Sequence, residues 1–151
     1  MAKVSIQAAD FDAALEAARL ARGRTDIGAV VTFTGLCRDE AGALAVLELE
    51  HYPLMAEAEI ARVAAEAEAR WPLMGVRVIH RHGKIKPGGQ IVLVVTASAH
   101  RAAAFAAADY LMDFLKTRAP FWKKEHRIDG TSGDWVSAKD ADDAAASRWN
   151  V

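Results

Sequence analysis

The chain has 151 residues, of which 52% are hydrophobic and 26% charged, and its formal net charge is −1. These values are typical of one globular domain, which we expect to span residues 1–151. The balanced charge argues against a general nucleic-acid-binding protein, which usually carries a large basic excess. The single cysteine, Cys37, cannot form an internal disulfide, and no stretch is typical of a signal peptide or membrane span. We therefore expect a soluble, cytoplasmic protein.

The first half of the chain alternates between strand-like and helix-like patterns. Period-2 and β-branched segments predict strands at 3–7, 28–38 and 44–52. Helices are predicted at 10–23, with Asp10 as the N-cap, and at 53–71, where Pro53 begins the helix. In the second helix an apolar stripe is expected to face the core; it consists of Ile60, Val63, Ala64 and Ala67.

The second half predicts further strands at 76–82, 91–96, 122–128 and 134–138, and helices at 100–118 and 140–149. The strand at 91–96 is apolar throughout, which indicates cover on both faces. The helix at 100–118 is apolar nearly all round, so we expect it to be largely buried. The order of elements predicts an α+β sandwich of mostly antiparallel sheet with helices on one face, plus a small additional antiparallel β segment.

The most informative segment is 116–125, KTRAPFWKKE, which places four cations around a proline-aromatic turn. Pro120 cannot continue the preceding helix and disfavours helical backbone at Ala119, so Lys116 falls in the last helical turn. Lys123 follows in a new extended segment, and the reversal can bring its amine close to Lys116. Because a lysine among cations has a lowered pKa, this segment predicts an anion site with at least one catalytic lysine.

Lys123 and Lys124 occupy successive strand positions and must point to opposite sides. Only one of them can face a pocket, and Lys123 is the better candidate because it directly follows the aromatic pair. A purely structural interpretation also exists. Lys116 would then complement the helix dipole, and the two strand lysines would discourage edge-to-edge aggregation.

The segment 98–101, SAHR, lies where a buried strand passes into a long helix. Free N–H groups at a helix start attract anions, and Arg101 adds a planar fork suited to phosphate or carboxylate. In the alternative interpretation Ser98 caps the helix while His100 and Arg101 are merely solvated. Arg38, at the exit of the strand at 28–38, is a third and weaker candidate anion contact.

Two other features carry little functional signal. His80 and His82 share a strand face and could bind a metal, but no third ligand lies at a convincing distance, so we expect no metal site. Cys37 could be a nucleophile beside Arg38, yet lone cysteines are usually inert packing residues.

Several segments match, in order, the pattern of one enzyme family. They are GAVVTFTG at 28–35, LEHYP at 49–53, RWPL at 70–73, VIHR at 78–81, SAHR at 98–101, MD at 112–113 and LKTRAPFWK at 115–123. On these motifs the chain closely resembles the large, catalytic subunit of molybdopterin synthase.

The resemblance implies a sulfurtransferase that converts cyclic pyranopterin monophosphate, also called precursor Z, into molybdopterin. Sulfur would come from the C-terminal Gly-Gly thiocarboxylate of a small ubiquitin-like carrier subunit. The large subunits would form a homodimer within a heterotetramer, with no cofactor, nucleic acid or membrane involved. The implied fold is an α/β hammerhead with a small extra antiparallel sheet.

The resemblance also implies roles for individual residues. Lys116 and Lys123 match the family's catalytic lysines. The residues that match substrate-binding positions are Arg38, His100, Arg101, Lys124 and Glu125. Lys139 stands where a basic residue is typical and would reach a neighbouring subunit's site. The competing hypothesis is a non-catalytic module that binds a pterin, a phosphate or RNA through the basic segment 116–127.

Overall fold

Two β-sheets and three helices make up the part of the chain that can be described. The structure is a computed structural model and describes residues 1–39, 41–137 and 149. Its strands are β1 Lys3–Gln7, β2 Ala29–Leu36, β3 Leu44–His51, β4 Leu73–Arg81, β5 Gly83–Ile85, β6 Gln90–Ser98 and β7 Phe121–Arg127. Its helices are α1 Ala13–Ala21, α2 Met55–Arg70 and α3 Arg101–Thr117.

The larger sheet has the strand order β1-β4-β6-β2. Only the β1–β4 pair is parallel in this sheet, because β4–β6 and β6–β2 are antiparallel. The central strand β6 is covered on both sides, as its unbroken apolar sequence predicts. Val92 and Val94 pack on one side, and Leu93 and Val95 pack on the other.

The α+β class and the mostly antiparallel sheets are confirmed, but the expectation of helices on one face is wrong. Helices α2 and α3 pack on the face that carries Val78, whereas α1 packs on the opposite face, against Ile79. Strands β4 and β6 are apolar on both faces, so each face needs a helix. A little-exposed ion pair also holds α1 there, since Glu16 Oε2 lies 2.9 Å from Arg77 Nε.

The cap of α1 differs from the expected one. Asp12, not Asp10, is the N-cap, and its Oδ1 accepts a hydrogen bond from the Leu15 N–H at 3.0 Å. Asp10 lies two residues before this N-cap. Its Oδ1 accepts hydrogen bonds from the Phe11 N–H and from the Gln90 side chain, both at 2.8 Å. Two aspartates two residues apart offer equivalent cap signals in a sequence, and the strand contact through Gln90 decides between them.

Helices α2 and α3 pack against each other over the sheet. The predicted stripe of α2 is buried, although this helix begins at Met55 and not at Pro53. Helix α3 buries only one face, and Phe105 on another face is 61% exposed, so the expectation of a largely buried helix is wrong. The apolar pattern misled because small alanines make up much of it. Within residues 1–39, 41–137 and 149, no helix has the length and hydropathy needed to cross a membrane.

The smaller antiparallel sheet has the order β5-β3-β7 and lies next to the end of α3. Leu47 and Leu49 of β3 are buried on its inner face, as predicted from the alternating pattern. The three-residue strand β5 was too short to be recognised. In place of the predicted strand at 134–138, the described residues form only an isolated bridge from Val136 to Lys123. The predicted helix at 140–149 lies outside the described residues, except for Trp149.

Candidate active site

The reversal between α3 and β7 brings the two predicted lysines together. Lys116 lies in the last turn of α3, and the N–H groups of Arg118 and Ala119 both reach the Phe114 carbonyl, at 2.8 and 3.3 Å. Beyond Pro120 the chain turns back as β7. Lys116 and Lys123 consequently line the same two adjoining cavities, as the proline-aromatic motif predicts.

The first cavity, which we call the apolar cavity, has a volume of about 170 Å³. Its walls come from β3, β6, the end of α3 and the start of β7, and they are mostly aliphatic and aromatic. Trp122 and Val136 contribute near Lys123, and His80 contributes from β4. Its mostly apolar lining, with the two lysines at its wall, suits an uncharged chain that ends near a cation.

The second cavity, the charged cavity, has a volume of about 410 Å³ and is lined by four cationic side chains and two carboxylates. The cations are Arg38, Lys116, Lys123 and Arg127, and the carboxylates are Asp39 and Glu125. The excess of cations within one cleft suits a phosphate-bearing small molecule. Lys116 and Lys123 belong to both cavities, as do Leu47 and Ile91, so the common wall carries two cations and two aliphatic side chains.

The strand register explains why Lys123 faces the cavities and Lys124 does not. Lys123 pairs with the buried Leu49, whereas Lys124 pairs with Glu48 on the outer face. The Lys124 ammonium lies 5.6 Å from the ring centroid of Trp135, and Lys124 lines neither cavity. Of the two substrate contacts expected in this stretch, the structure thus brings Glu125 to the charged cavity and keeps Lys124 away from it.

His100 and Arg101 lie at the opposite end of α3 and are exposed. With a rise of 1.5 Å per residue, the 15 residues from Arg101 to Lys116 correspond to about 22 Å. Within one chain the structure therefore does not bring them to the lysines. Ser98 does not cap α3 either, because its hydroxyl is buried and donates to the Pro72 carbonyl at 2.9 Å.

Arg127 is a cavity residue that the sequence interpretation did not single out. It follows Lys123 and Glu125 at every second position of β7, so all three side chains point to the same side. Its guanidinium also donates to the Thr131 hydroxyl at 3.2 Å, which ties the following turn to the strand. The period of two along KKEHR was the signal that could have found it.

Cys37 and His82 have surroundings that do not favour reactivity. Cys37 is 3% exposed, and burial, with the charges of Asp39 and Glu125, raises the pKa of its thiol. The thiolate needed for nucleophilic attack is therefore disfavoured. His82 packs its ring against His51, with centroids 4.6 Å apart. Among the residues described here, no three His, Cys, Asp or Glu side chains lie close enough together to hold a metal ion.

Comparisons with known proteins identify the family of this chain. The family model described as MoaE protein matches residues 6–118. A molybdopterin synthase catalytic subunit from Mesorhizobium japonicum is 70% identical, over 97% of this chain and 92% of that protein. A molybdopterin biosynthesis MoaE protein from Burkholderia ambifaria superposes with a TM-score of 0.86 at 47% identity, covering 100% of this chain and 99% of that one.

A more distant structure shares the fold alone. It is a protein-protein complex of subunits 1 and 2 of molybdopterin-converting factor from Helicobacter pylori, with a TM-score of 0.70 at 20% identity over 92% of this chain and 90% of that chain. The chain therefore has the fold of a biosynthetic enzyme subunit. Its candidate site consists of two adjoining cavities that share the cationic side chains of Lys116 and Lys123. It belongs to the MoaE family, and the expectation of an enzyme related to molybdopterin synthase is confirmed.

Proposed function

We propose that this protein converts precursor Z into molybdopterin, with sulfur delivered by the C-terminal thiocarboxylate of a small ubiquitin-like carrier subunit. One observation carries the proposal. Lys116 and Lys123 are the two cations in the wall shared by an apolar cavity, suited to a peptide tail, and a charged cavity, suited to a phosphorylated pterin. The MoaE relatives, named as molybdopterin synthase catalytic subunits, support the same reaction.

In this proposal each reactant occupies one of the two cavities. The carrier's Gly-Gly tail has no side chains and enters the apolar cavity, where its terminal thiocarboxylate meets a lysine ammonium. Precursor Z occupies the charged cavity, with its phosphate among the cations that include Arg38 and Arg127. The reacting atoms then meet beside Lys116 and Lys123.

The two lysines act by proton transfer and electrostatic stabilisation. The thiocarboxylate sulfur bonds to a carbon of the pterin side chain as a C–O bond there breaks, and Lys116, at the end of α3, donates a proton to the departing oxygen, which leaves as water. A second water then cleaves the thioester, so the sulfur stays on the pterin and the carrier leaves with an ordinary C-terminal carboxylate. Lys123 stabilises the negative charge that builds up in the intermediate. Glu125, on the same strand face, orients the cations within the charged cavity. Lys124 has no part in this scheme because it points to the outer face of the sheet.

The exposed His100 and Arg101 serve the same reaction from a second copy of the chain. They lie about 22 Å from Lys116 along α3, which is too far for one chain to use both groups on one small substrate. A homodimer solves this if the start of α3 in one protomer borders the charged cavity of its partner. With one carrier bound to each copy, the assembly is a heterotetramer. The structurally similar two-subunit complex from Helicobacter pylori supports a carrier partner.

The direct test combines purified protein, thiocarboxylated carrier and precursor Z, and measures molybdopterin formation. The proposal expects product only when all three components are present. A carrier with an ordinary C-terminal carboxylate, otherwise identical, is the matched control and gives no product. Absence of product with the thiocarboxylated carrier, from a protein that binds both reactants, would refute the proposal.

A further inference from the structure

His80 is a nearly enclosed histidine in the wall of the apolar cavity. It is the eighth residue of the nine-residue strand β4 and is only 7% exposed. Like Val78, two residues before it, it points to the face covered by α2 and α3, and Val92 is its neighbour on β6. This face carries the end of α3, so His80 and Lys116 line the same cavity.

The His80 ring is held on two sides. Its Nδ1 lies 2.8 Å from the Arg81 carbonyl oxygen, which can only accept, so Nδ1 carries the proton. The ring also stacks on Phe121, with centroids 3.8 Å apart and an angle of 18° between the planes. Phe121 is placed there by the turn at Pro120, so the same motif that positions the lysines also fixes this imidazole.

These contacts also determine the protonation state of the other ring nitrogen, Nε2. With Nδ1 protonated, Nε2 is an acceptor, and no hydrogen bond to it is found among residues 1–39, 41–137 and 149. No side-chain nitrogen or oxygen in that part of the chain is both fully enclosed and without a partner, so Nε2 keeps contact with open space. The open space that borders His80 is the apolar cavity.

We propose that His80 is a positioning residue for Lys116, and that its Nε2 accepts a hydrogen bond from a water in the apolar cavity that in turn accepts one from the Lys116 ammonium. The inference rests on the proposed function for its catalytic consequence. The bond holds the flexible four-carbon side chain of Lys116 where the carrier's terminus arrives. Such fixed placement of a reacting group is a major source of rate enhancement.

The charge state of His80 is compatible with this role. The pKa of His80 is lowered to about 4, mainly by burial, and the charges of Lys116 on α3, His51 on β3 and His82 beyond β4 act in the same direction. The Arg81 carbonyl acts in the opposite direction. The imidazole is therefore neutral near pH 7 and attracts the ammonium of Lys116. From β7, Phe121 contacts the ring with an uncharged face.

Activity measurements on two variants separate positioning from packing. His80→Phe keeps the stack on Phe121 and removes the acceptor, and His80→Gln returns an acceptor near the position of Nε2. We expect kcat for molybdopterin formation to fall about 10- to 100-fold in His80→Phe, with KM nearly unchanged, and to recover substantially in His80→Gln. His82→Phe removes a histidine two residues away and should leave kcat within about twofold of the wild type. Equal activity of the Phe and Gln variants, with wild-type melting temperatures, would overturn the proposal.

A second measurement needs no turnover. Nitrogen-15 NMR of the whole protein should show His80 as the neutral tautomer with its proton on Nδ1 at pH 7. Lys116→Met removes the donor and the charge, and should shift the Nε2 resonance and raise the pKa of His80. A proton on Nε2, or a resonance insensitive to Lys116→Met, would refute the contact. If these signals appear as expected but the wild type forms no product, the proposed function fails while the contact between His80 and Lys116 stands.

Discussion

The two ends of α3 carry the same kinds of charge in different settings. At the C-terminal end, Lys116 meets Lys123, a buried histidine and two cavities, all within one chain. At the N-terminal end, His100 and Arg101 are exposed and line neither cavity. The C-terminal end of α3 therefore forms part of the cavity walls, whereas the N-terminal end exposes His100 and Arg101, the predicted anion-binding residues, on the surface.

This difference is the basis of the proposal that two copies of the chain share one reaction. The C-terminal end is held by the Pro120 reversal and by the register of β7 on β3. The N-terminal end is fixed equally well, since the Thr96 hydroxyl donates to the Ala104 carbonyl at 2.7 Å and anchors the first turns of α3 on β6. Contacts within the chain hold both ends of α3, so His100 and Arg101 are exposed because of their position in the fold.

The largest effect is expected from Lys116→Ala. Loss of the proton donor in the common wall of the cavities should lower kcat about 10²- to 10⁴-fold, with an unchanged melting temperature because Lys116 is exposed. Steady-state assays with thiocarboxylated carrier measure it. Arg118→Ala is the control and should stay close to the wild type, because Arg118 is an exposed cation at the C-cap of α3 and lines neither cavity. Full turnover by Lys116→Ala would contradict the assigned role.

The neighbouring strand lysines provide the next test. Lys123→Ala should lower kcat about 100-fold, because a charge that stabilises the intermediate is lost. Lys124→Ala should have an effect of less than about threefold, because its ammonium lies over Trp135 on the outer face of the sheet. The two variants are compared in parallel assays. Equal losses would show that β7 presents the opposite face during the reaction.

A smaller effect is expected at the other end of α3. Arg101→Ala should raise KM for precursor Z about tenfold with little change in kcat, since a phosphate contact binds ground state and transition state alike. Titration of precursor Z at saturating carrier separates the two constants. A fall in kcat at unchanged KM would place Arg101 among the groups that act on the reacting atoms.

The smallest effect concerns stability and pH. The pKa of His80 is about 4 in the folded chain, lowered mainly by burial, and its ordinary value is 6.5. The unfolded chain therefore binds more protons between these values, and stability falls as the pH decreases through that window. From pH 7 to pH 5.5 the free energy of unfolding should drop by about 1 kcal/mol through His80. Burial lowers the pKa of His51 as well and adds in the same direction.

Urea denaturation at the two pH values measures this change. His80→Phe is the control. The change in its free energy of unfolding between the two pH values, subtracted from the change in the wild type, gives the contribution of His80. The pKa values of Asp10, Asp26, Glu59 and Asp129 are lowered from ordinary values of 3.8 to 4.5, so these groups titrate below the measured range of pH 5.5 to 7. A larger drop in His80→Phe than in the wild type would show that the buried imidazole is charged.

Local chemistry made much of this molecule predictable. The continuous apolar run of β6 indicated cover on both faces, and the proline after Lys116 indicated the reversal that joins the two cavities. Alternation along 121–127 indicated that only one of Lys123 and Lys124 could face a pocket, and the position directly after the aromatic pair favoured Lys123. The family resemblance drawn from the short motifs agrees with the MoaE match.

Features that depend on distant parts of the chain could not be found in this way. Asp12 caps α1 in place of the predicted Asp10, because the Asp10 side chain binds Gln90, which lies 80 residues away in the sequence. His80 could be judged only as a metal ligand until the stack on Phe121 placed it beside Lys116. Arg101 and Lys116 lie at opposite ends of the same helix, α3. The sequence pattern indicated that both could bind anions, but it did not show whether they belong to one site.

The central claim is that one active site takes its lysines from one copy of the chain and its phosphate anchor from another. Heterodimers that pair a Lys116→Ala protomer with an Arg101→Ala protomer, isolated by two different affinity tags, test it directly at precursor Z concentrations well below KM. Each such dimer should keep one intact site and show about half of the wild-type rate. If Lys116 and Arg101 of the same chain formed one site, both sites would be damaged, and a rate no higher than those of the parent homodimers would contradict the claim.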